Sequence, residues 1–397
     1  MICRGLFFEY TPFEVLPCAP ADNMFAMLFK TSLNKNTMRS SNQLFLACSF
    51  ALLALSSCND DEPTITVSYT IPEIYAFQNV DFSGQTTRIS QLEEMMEYVE
   101  GAIESKDPIT SQVLTDMFEN TDENGGGYFS FSSNKMLSDK CFGPHVSKIA
   151  DYFDRIELTS ASPNVAANGT AGYSESSTGS IRLYDENGME LSEFIEKGIM
   201  GAVFYYQATG VYLESEKMNV DNDHVIEGEG TAMQHHWDEA YGYLGVGLDF
   251  PQNVDNLSYW GVYCNRRNDL LGSNEALSEA FRRGRAAINV DLLDDDLAIK
   301  DVRNQWERVA AATIIHYLNE AIDNIGDDHV RNHVLSEGYA FIEGLFYNPE
   351  KTISDAEMNE ILAKIGTNFY EVNTQDLQSA RDQLSAIYSL DNVKSAL

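Results

Sequence analysis

From about residue 87 onward, apolar side chains recur at steps of three and four. This period limits the possible folds more than any other feature of the chain. Ile89, Leu92, Met95, Met96, Val99 and Ile103 form one such stripe, the pattern of a helix with one face in a core. The same spacing predicts further helices over about 111–118, 144–158, 190–206, 231–246, 274–293, 298–324, 328–346, 354–365 and 374–390. Ser354-x-x-Glu357 reads as a capping box opening the penultimate one, and Thr374 as the cap of the last. Strand-like alternation is weak and confined to 64–71 and 179–183. Residues 159–188, rich in Ser, Gly, Asn and Thr, read as a long surface loop. The expected fold is all-α, with a short extended N-terminal arm.

An internal repeat refines this. Residues 235–244, HHWDEAYGYL, align with 333–342, HVLSEGYAFI. His, Glu and Tyr match outright, and four further positions match in kind. Each copy follows a helix rich in small residues. The repeat predicts two related helical bundles, over 87–250 and 251–397.

The N-terminal stretch reads differently. Residues 44–55, LFLACSFALLAL, are too few to span a bilayer, which takes roughly 20 apolar residues. They suit the apolar region of a signal peptide. Leu55-Ser56-Ser57-Cys58 follows and resembles a bacterial lipobox, with Cys58 as the lipidated residue. The expected division is a dispensable leader over 1–37, a lipoprotein signal peptide over 38–57, and a tether with the extended arm over 58–86. The acidic run Asn59-Asp60-Asp61-Glu62 behind Cys58 resembles a surface-export signal of some Gram-negative lipoproteins; a plain solvated tether is the alternative. The expected location is a lipid anchor in the outer membrane with the domain exposed at the cell surface.

Charge narrows the partners. Asp and Glu number 61 against 26 Lys and Arg, a net −35. A nucleic acid needs clustered basic residues, so it is excluded as a partner. A bare anionic membrane face is disfavoured too, leaving the lipid anchor as the only membrane contact. Cations and cationic surfaces fit. Beyond the signal region and Cys58, Cys141 and Cys264 remain. They can pair in an oxidising compartment or serve as two small buried hydrophobes; the reading leans against a bridge.

Among residues that carry chemistry, the repeat stands out. His236-x-x-Glu239 places an imidazole and a carboxylate one helical turn apart. His235 and Glu239, at i,i+4, share that turn. Helical bundles hold metals with such pairs, but one turn cannot close a coordination shell. The repeat offers His333 and Glu337 for the remainder. The candidate metal ligands are therefore His236, Glu239, His235, His333 and Glu337, for a divalent or iron ion or a metal-bearing ligand. The alternative is that the His–Glu pairs are polar clasps between helices in a structural or interaction protein. No H-E-x-x-H, G-x-S-x-G or G-x-x-x-x-G-K-[ST] occurs, and the expectation is a protein that is not an enzyme. Asp122-Glu123-Asn124-Gly125 and Asn219-x-Asp221-x-Asp223 lack the glycine and closing glutamate of a calcium loop and read as acidic turns.

The segment 234–243, QHHWDEAYGY, resembles the G-x-H-x-x-E signature of imelysin-like proteins. It is closer to a lipoprotein branch of that group labelled as a domain of unknown function. Residues 83–86, 187–191, 197–202, 284–288 and 333–341 resemble that branch in the same order, over about 66–390. The resemblance implies two related helical bundles with the H-x-x-E motif near a cleft between them. It also implies an extracytoplasmic role in metal or iron acquisition. His236 and Glu239 occupy the motif positions, while the family's glycine is replaced by Gln234.

Overall fold

The computed structural model describes residues 69–293 and 297–397. The expected signal peptide, the lipidation site Cys58, the acidic run behind it and most of the 64–71 stretch lie outside the described residues.

The chain is mostly helical. In order it forms α1 (Ser83–Ser105), α2 (Ser111–Phe118), α3 (Val146–Ser160), a hairpin of β1 (Gly172–Glu175) and β2 (Ile181–Tyr184), α4 (Leu191–Ile199), and the short α5 (Ser215–Met218). Then follow α6 (Ala232–Gly242), α7 (Trp260–Leu271), α8 (Ser273–Ile288), α9 (Ala298–Asp323), α10 (Asp328–Gly344), α11 (Asp355–Ile365) and α12 (Thr374–Ile387). The stripe read from 89 to 103 is the buried face of α1. None of the helices among the described residues is long and apolar enough to cross a membrane.

The long helix α9 organises the packing, with α7, α8, α10 and α12 against it. Its small residues Ala310, Ala311 and Ala312 are buried and let neighbouring helices approach. Trp306 from α9 meets Trp260 of α7 edge-on and also touches Phe281 of α8. α8 in turn presses on α6 at one glycine. A methyl group on Gly284 would stand 2.1 Å from the Trp237 ring, so only a glycine fits. The indole Nε1 of Trp237 donates to the Phe281 carbonyl at 3.0 Å, which satisfies its polar atom inside the core. The described residues form one compact unit.

The extended arm is part of that core. Tyr75 is fully buried, stacks on Tyr241 of α6 with ring centroids 3.9 Å apart, and donates its hydroxyl to Asp238 at 2.6 Å. Asp238 also accepts from Arg285 of α8 at 2.9 Å, and both charges are sealed from solvent. Burial of an ion pair is tolerable only when its geometry and remaining hydrogen bonds are good. Here the arm supplies two of them, the Tyr75 hydroxyl and the Gln78 carbonyl, which accepts from the Arg285 guanidinium at 3.4 Å, while Asp238 Oδ2 has no hydrogen-bond partner among the described residues.

Several sequence expectations are corrected. The stretch 159–188 is not a plain loop: it holds the antiparallel hairpin β1–β2, with Leu183 and Tyr184 buried and the Tyr184 hydroxyl donating to the His329 carbonyl at 2.6 Å. β2 overlaps the weak alternation read over 179–183, while β1, Gly-Tyr-Ser-Glu, carries no such signal. The region before Tyr259 is a loop as expected, but Trp260 opens α7, whose apolar spacing is interrupted by the polar run Asn265-Arg266-Arg267-Asn268-Asp269. The continuous helix expected over 190–206 leaves α geometry after Ile199 and runs as π-helical turns over Met200–Tyr205 and Ala208–Tyr212. The last helix is capped by Asn373, whose side chain accepts from the Asp376 amide, and not by Thr374. Cys141 and Cys264 are free and buried.

Candidate functional site

The five residues marked as ligands lie on two helices. His235, His236 and Glu239 sit on α6, and His333 and Glu337 on α10. On α6 the N-terminus explains Gln234. Thr231 Oγ1 accepts from the Gln234 amide, and the Gln234 side chain accepts from the Thr231 amide at 3.0 Å. Gln234 thus completes a capping box, a role glycine cannot fill. Trp237 and Tyr241 then turn into the core and leave His235, His236 and Glu239 half-buried on the outer face.

The two histidines diverge. His236 Nδ1 donates to the Lys217 carbonyl at 2.9 Å, which fixes its tautomer, and burial holds the ring below its ordinary pKa. His235 Nε2 stands 4.0 Å from Glu239. The Glu239 carboxylate accepts from Gln85 of α1 at 3.0 Å and from the Tyr212 hydroxyl at 2.9 Å. A cavity of about 210 Å³ beside them is lined by His235 and Glu239, not by His236, and its other walls include Arg88, Lys135 and Lys140.

A different constellation surrounds the second copy. α10 starts at Asp327, whose carboxylate caps the amides of His329 and Val330. One and a half turns in, His333 faces α4. Its Nδ1 lies 2.9 Å from Glu190 and 3.7 Å from Glu193, and its Nε2 lies 3.4 Å from Glu337. Ligand atoms of Glu190, Glu193 and His333 all fall within 4.8 Å of one another. They open on a cavity of about 420 Å³ whose wall also carries Glu100, Glu104 and Arg182. A second cavity of about 470 Å³ shares Glu100 and Glu193 with it and adds Glu93, Glu97 and Glu196. Glu93, Glu97, Glu100 and Glu104 follow the helical repeat along α1, so one edge of that helix gives the groove a row of carboxylates.

Basic groups stand against this acidity. Lys197 of α4 is buried, with its ammonium 3.1 Å from Glu193 and 3.4 Å from Glu337, and it also contacts Glu196. Arg182 of β2 reaches Glu190 at 3.3 Å. Glu337 further accepts from Tyr317 at 2.7 Å. Burial pushes the Glu193 carboxyl up to about 8, with Lys197 opposing and Glu337 adding to the shift. His333 is held above its ordinary value: burial works against the imidazolium, but the Glu190 hydrogen bond and the Glu190, Glu193 and Glu337 charges outweigh it. Glu337 goes the other way, because Lys197 and His333 outweigh its burial.

Glu190, Glu193 and Lys197 were missed as site residues in the sequence. The signal existed: Glu190-x-x-Glu193-x-x-Glu196-Lys197 puts three carboxylates and an amine on one helical edge. Without the fold nothing tied that edge to His333.

A family model described as Domain of unknown function (DUF4856) matches residues 72–391, and the chain belongs to that family. No curated protein and no solved structure matches it.

Proposed function

We propose that this DUF4856 protein is a cation-binding protein, not an enzyme, that holds a divalent transition-metal ion through Glu190, Glu193 and His333. The observation that carries the reading is the convergence of those three ligand atoms within 4.8 Å at the wall of an open acidic cavity. Two carboxylates and one imidazole form an N/O donor set of the kind that suits Zn²⁺, Mn²⁺ or Fe²⁺, with room left for water or a ligand atom. The donor set therefore fits a metal, and Glu337, next to His333 Nε2, is the nearest further carboxylate. An incoming ion would displace the His333 proton and the proton on Glu193.

This places the metal on the second copy of the repeat and not at His236 and Glu239. Glu239 shares its cavity with Arg88, Lys135 and Lys140, whose charges oppose a second cation there. The two copies nonetheless keep one design in common. Tyr212 donates to Glu239, and Tyr317 donates to Glu337, each from the helical segment preceding the motif in its copy. That parallel supports two related bundles of the imelysin-like kind. The lipobox-like sequence ending at Cys58 supports a lipid-anchored, extracytoplasmic setting, and the acidic run Asn59-Asp60-Asp61-Glu62 behind it supports export to the outer face of the outer membrane.

One observation favours the alternative, a structural clasp. Lys197 already supplies a positive charge to Glu193 and Glu337, and a protonated His333 supplies another. Calorimetric titration of metal-free protein with Zn²⁺, Mn²⁺ and Fe²⁺ distinguishes them. Metal binding that is lost in Glu190→Gln supports the site; no binding by any ion, with the variant much less stable than the wild type, supports the clasp.

A further inference from the structure

The cavity beside Glu239 has a property the rest of the acidic molecule does not lead one to expect. Three basic side chains from separate parts of the chain meet there: Arg88 of α1, and Lys135 and Lys140 from the segment between α2 and α3. Arg88 and Lys135 both stand against Gly84. A methyl group on that glycine would lie 3.5 Å from Arg88 Nη1 and 3.4 Å from Lys135 Cε. Lys140 donates to the Tyr212 hydroxyl at 2.9 Å. Among the described residues, no carboxylate lies within ion-pair distance of any of the three, although acids outnumber bases 61 to 26 in the chain. Arg88 is only 6% exposed, and its Nε and Nη1 are spent on the Met136 and Gly84 carbonyls, neither of which neutralises it. Burial and the Arg88 charge hold the Lys140 ammonium below its ordinary value. The cavity also receives the N-terminal turn of the 23-residue α1, which carries no acidic residue. Such a turn favours an anion.

We propose that this cavity is an anion site that takes a phosphate group, free or as a small phosphomonoester. Two lysine point charges and one guanidinium, arriving from different directions, suit a tetrahedral polyanion. A planar carboxylate would want the flat arginine fork, and Arg88 has already committed two of its nitrogens. The carboxylates on the wall do not block the site. Glu239 is held by Gln85 and Tyr212, and Asp81 by the Ser83 amide at 3.0 Å. His235, on the same wall, has a buried Nδ1 without a hydrogen-bond partner. The site is separate from the metal cluster and does not depend on it.

Titration of the purified protein with inorganic phosphate tests this, with glucose 6-phosphate as the phosphomonoester and citrate as a carboxylate probe. The expected result is saturable phosphate binding that weakens with added salt. It should fall at least about tenfold in Lys140→Gln and in Lys135→Gln, the loss of one charge-assisted contact. Both lysines are partly exposed, so thermal melts of these variants should match the wild type, and His333→Ala should bind phosphate normally. Binding of the ester but not of the free ion, or the reverse, identifies the source of the group. Failure to saturate with either, citrate binding in place of phosphate, or undiminished binding in both lysine variants would overturn the proposal.

Discussion

His333 stands with Nδ1 2.9 Å from the carboxylate of Glu190, a residue 143 positions earlier that the fold brings to it by laying α10 against α4. The pair is asymmetric. Glu190 is nearly sealed at 6% side-chain exposure, and His333 keeps 20% on the cavity side. Without a metal the two proposed ligands thus hold each other in place, at a wall that solvent, or an ion, can still reach.

The first prediction is a pH dependence. Glu193 and His333 both hold their protons more tightly in the folded chain than at their ordinary values of 4.5 and 6.5. For a group shifted upward, the stability it lends is complete below its unfolded pKa and is lost as pH rises through the folded one. Glu337 is shifted downward, so the stability it lends is lost only as pH falls below its ordinary value of 4.5. Thermal melts of metal-free protein should therefore fall from below pH 4.5 to above about 8 in the part due to Glu193. Glu193→Gln should flatten that slope. Added Zn²⁺ should raise the melting temperature most at the alkaline end, where the competing protons are already gone.

Arg285→Ala should destabilise the protein by about 3–5 kcal/mol, because it strands Asp238 in the core. Asp238 has 0% and Arg285 1% side-chain exposure, so water cannot replace the partner. Tyr75→Phe should cost less, about 1 kcal/mol, since one hydrogen bond goes and the ring stack on Tyr241 stays. Urea unfolding of the three proteins measures both. An arm that merely tethers the domain would leave Tyr75→Phe without effect.

Much of this architecture was legible in the residues. The stripe from Ile89 to Ile103 and the capping box at Ser354 each mark an element whose local signal and tertiary role agree. Capping explains Gln234 as well, once Thr231 is seen as its partner. The arm was harder. Tyr75 sits in the short apolar run Ile74-Tyr75-Ala76-Phe77, which has no helical spacing, and nothing local says that it closes over Asp238. The site failed for the same reason: His333 and Glu337 are neighbours in sequence, but Glu190, Glu193 and Lys197 reach them only through the contact of α4 with α10. The π-helical run at Met200–Tyr205 has no sequence signature beyond its small residues, Gly201 and Ala202. Gly201 meets α10 at Gly344, where a methyl group would lie 3.2 Å from the Gly344 Cα.

Glycine substitutions check the packing. Gly284→Ala should destabilise by at least about 1–3 kcal/mol, because the added methyl would overlap the Trp237 ring. Gly101→Ala, in the last turns of α1 with nothing within 4 Å of the new methyl, should be neutral or stabilise by about 0.5–1 kcal/mol. Thermal melts of the two variants should move in opposite directions.

Glu307, in the N-terminal half of α9, offers another test. Fully buried, it accepts from Asn348 at 2.9 Å, from the Thr352 amide at 2.8 Å and from the Tyr388 hydroxyl at 2.5 Å. Truncation to Ala should leave several buried donors without a partner and cost about 3–5 kcal/mol. Glu307→Gln keeps the shape and one acceptor oxygen and should cost less. Hydrogen exchange should localise the loosening to the connection before α11 and to α12.

The proposed cation site lies at His333 and its glutamates. Equilibrium dialysis of untagged protein against Zn²⁺, Mn²⁺ and Fe²⁺, followed by elemental analysis, tests it most directly, with His333→Ala and His236→Ala run in parallel. About one tightly held ion per chain is expected in the wild type and in His236→Ala, and none in His333→Ala. Loss of the ion in His236→Ala with retention in His333→Ala, or no ion retained by the wild type, would contradict it.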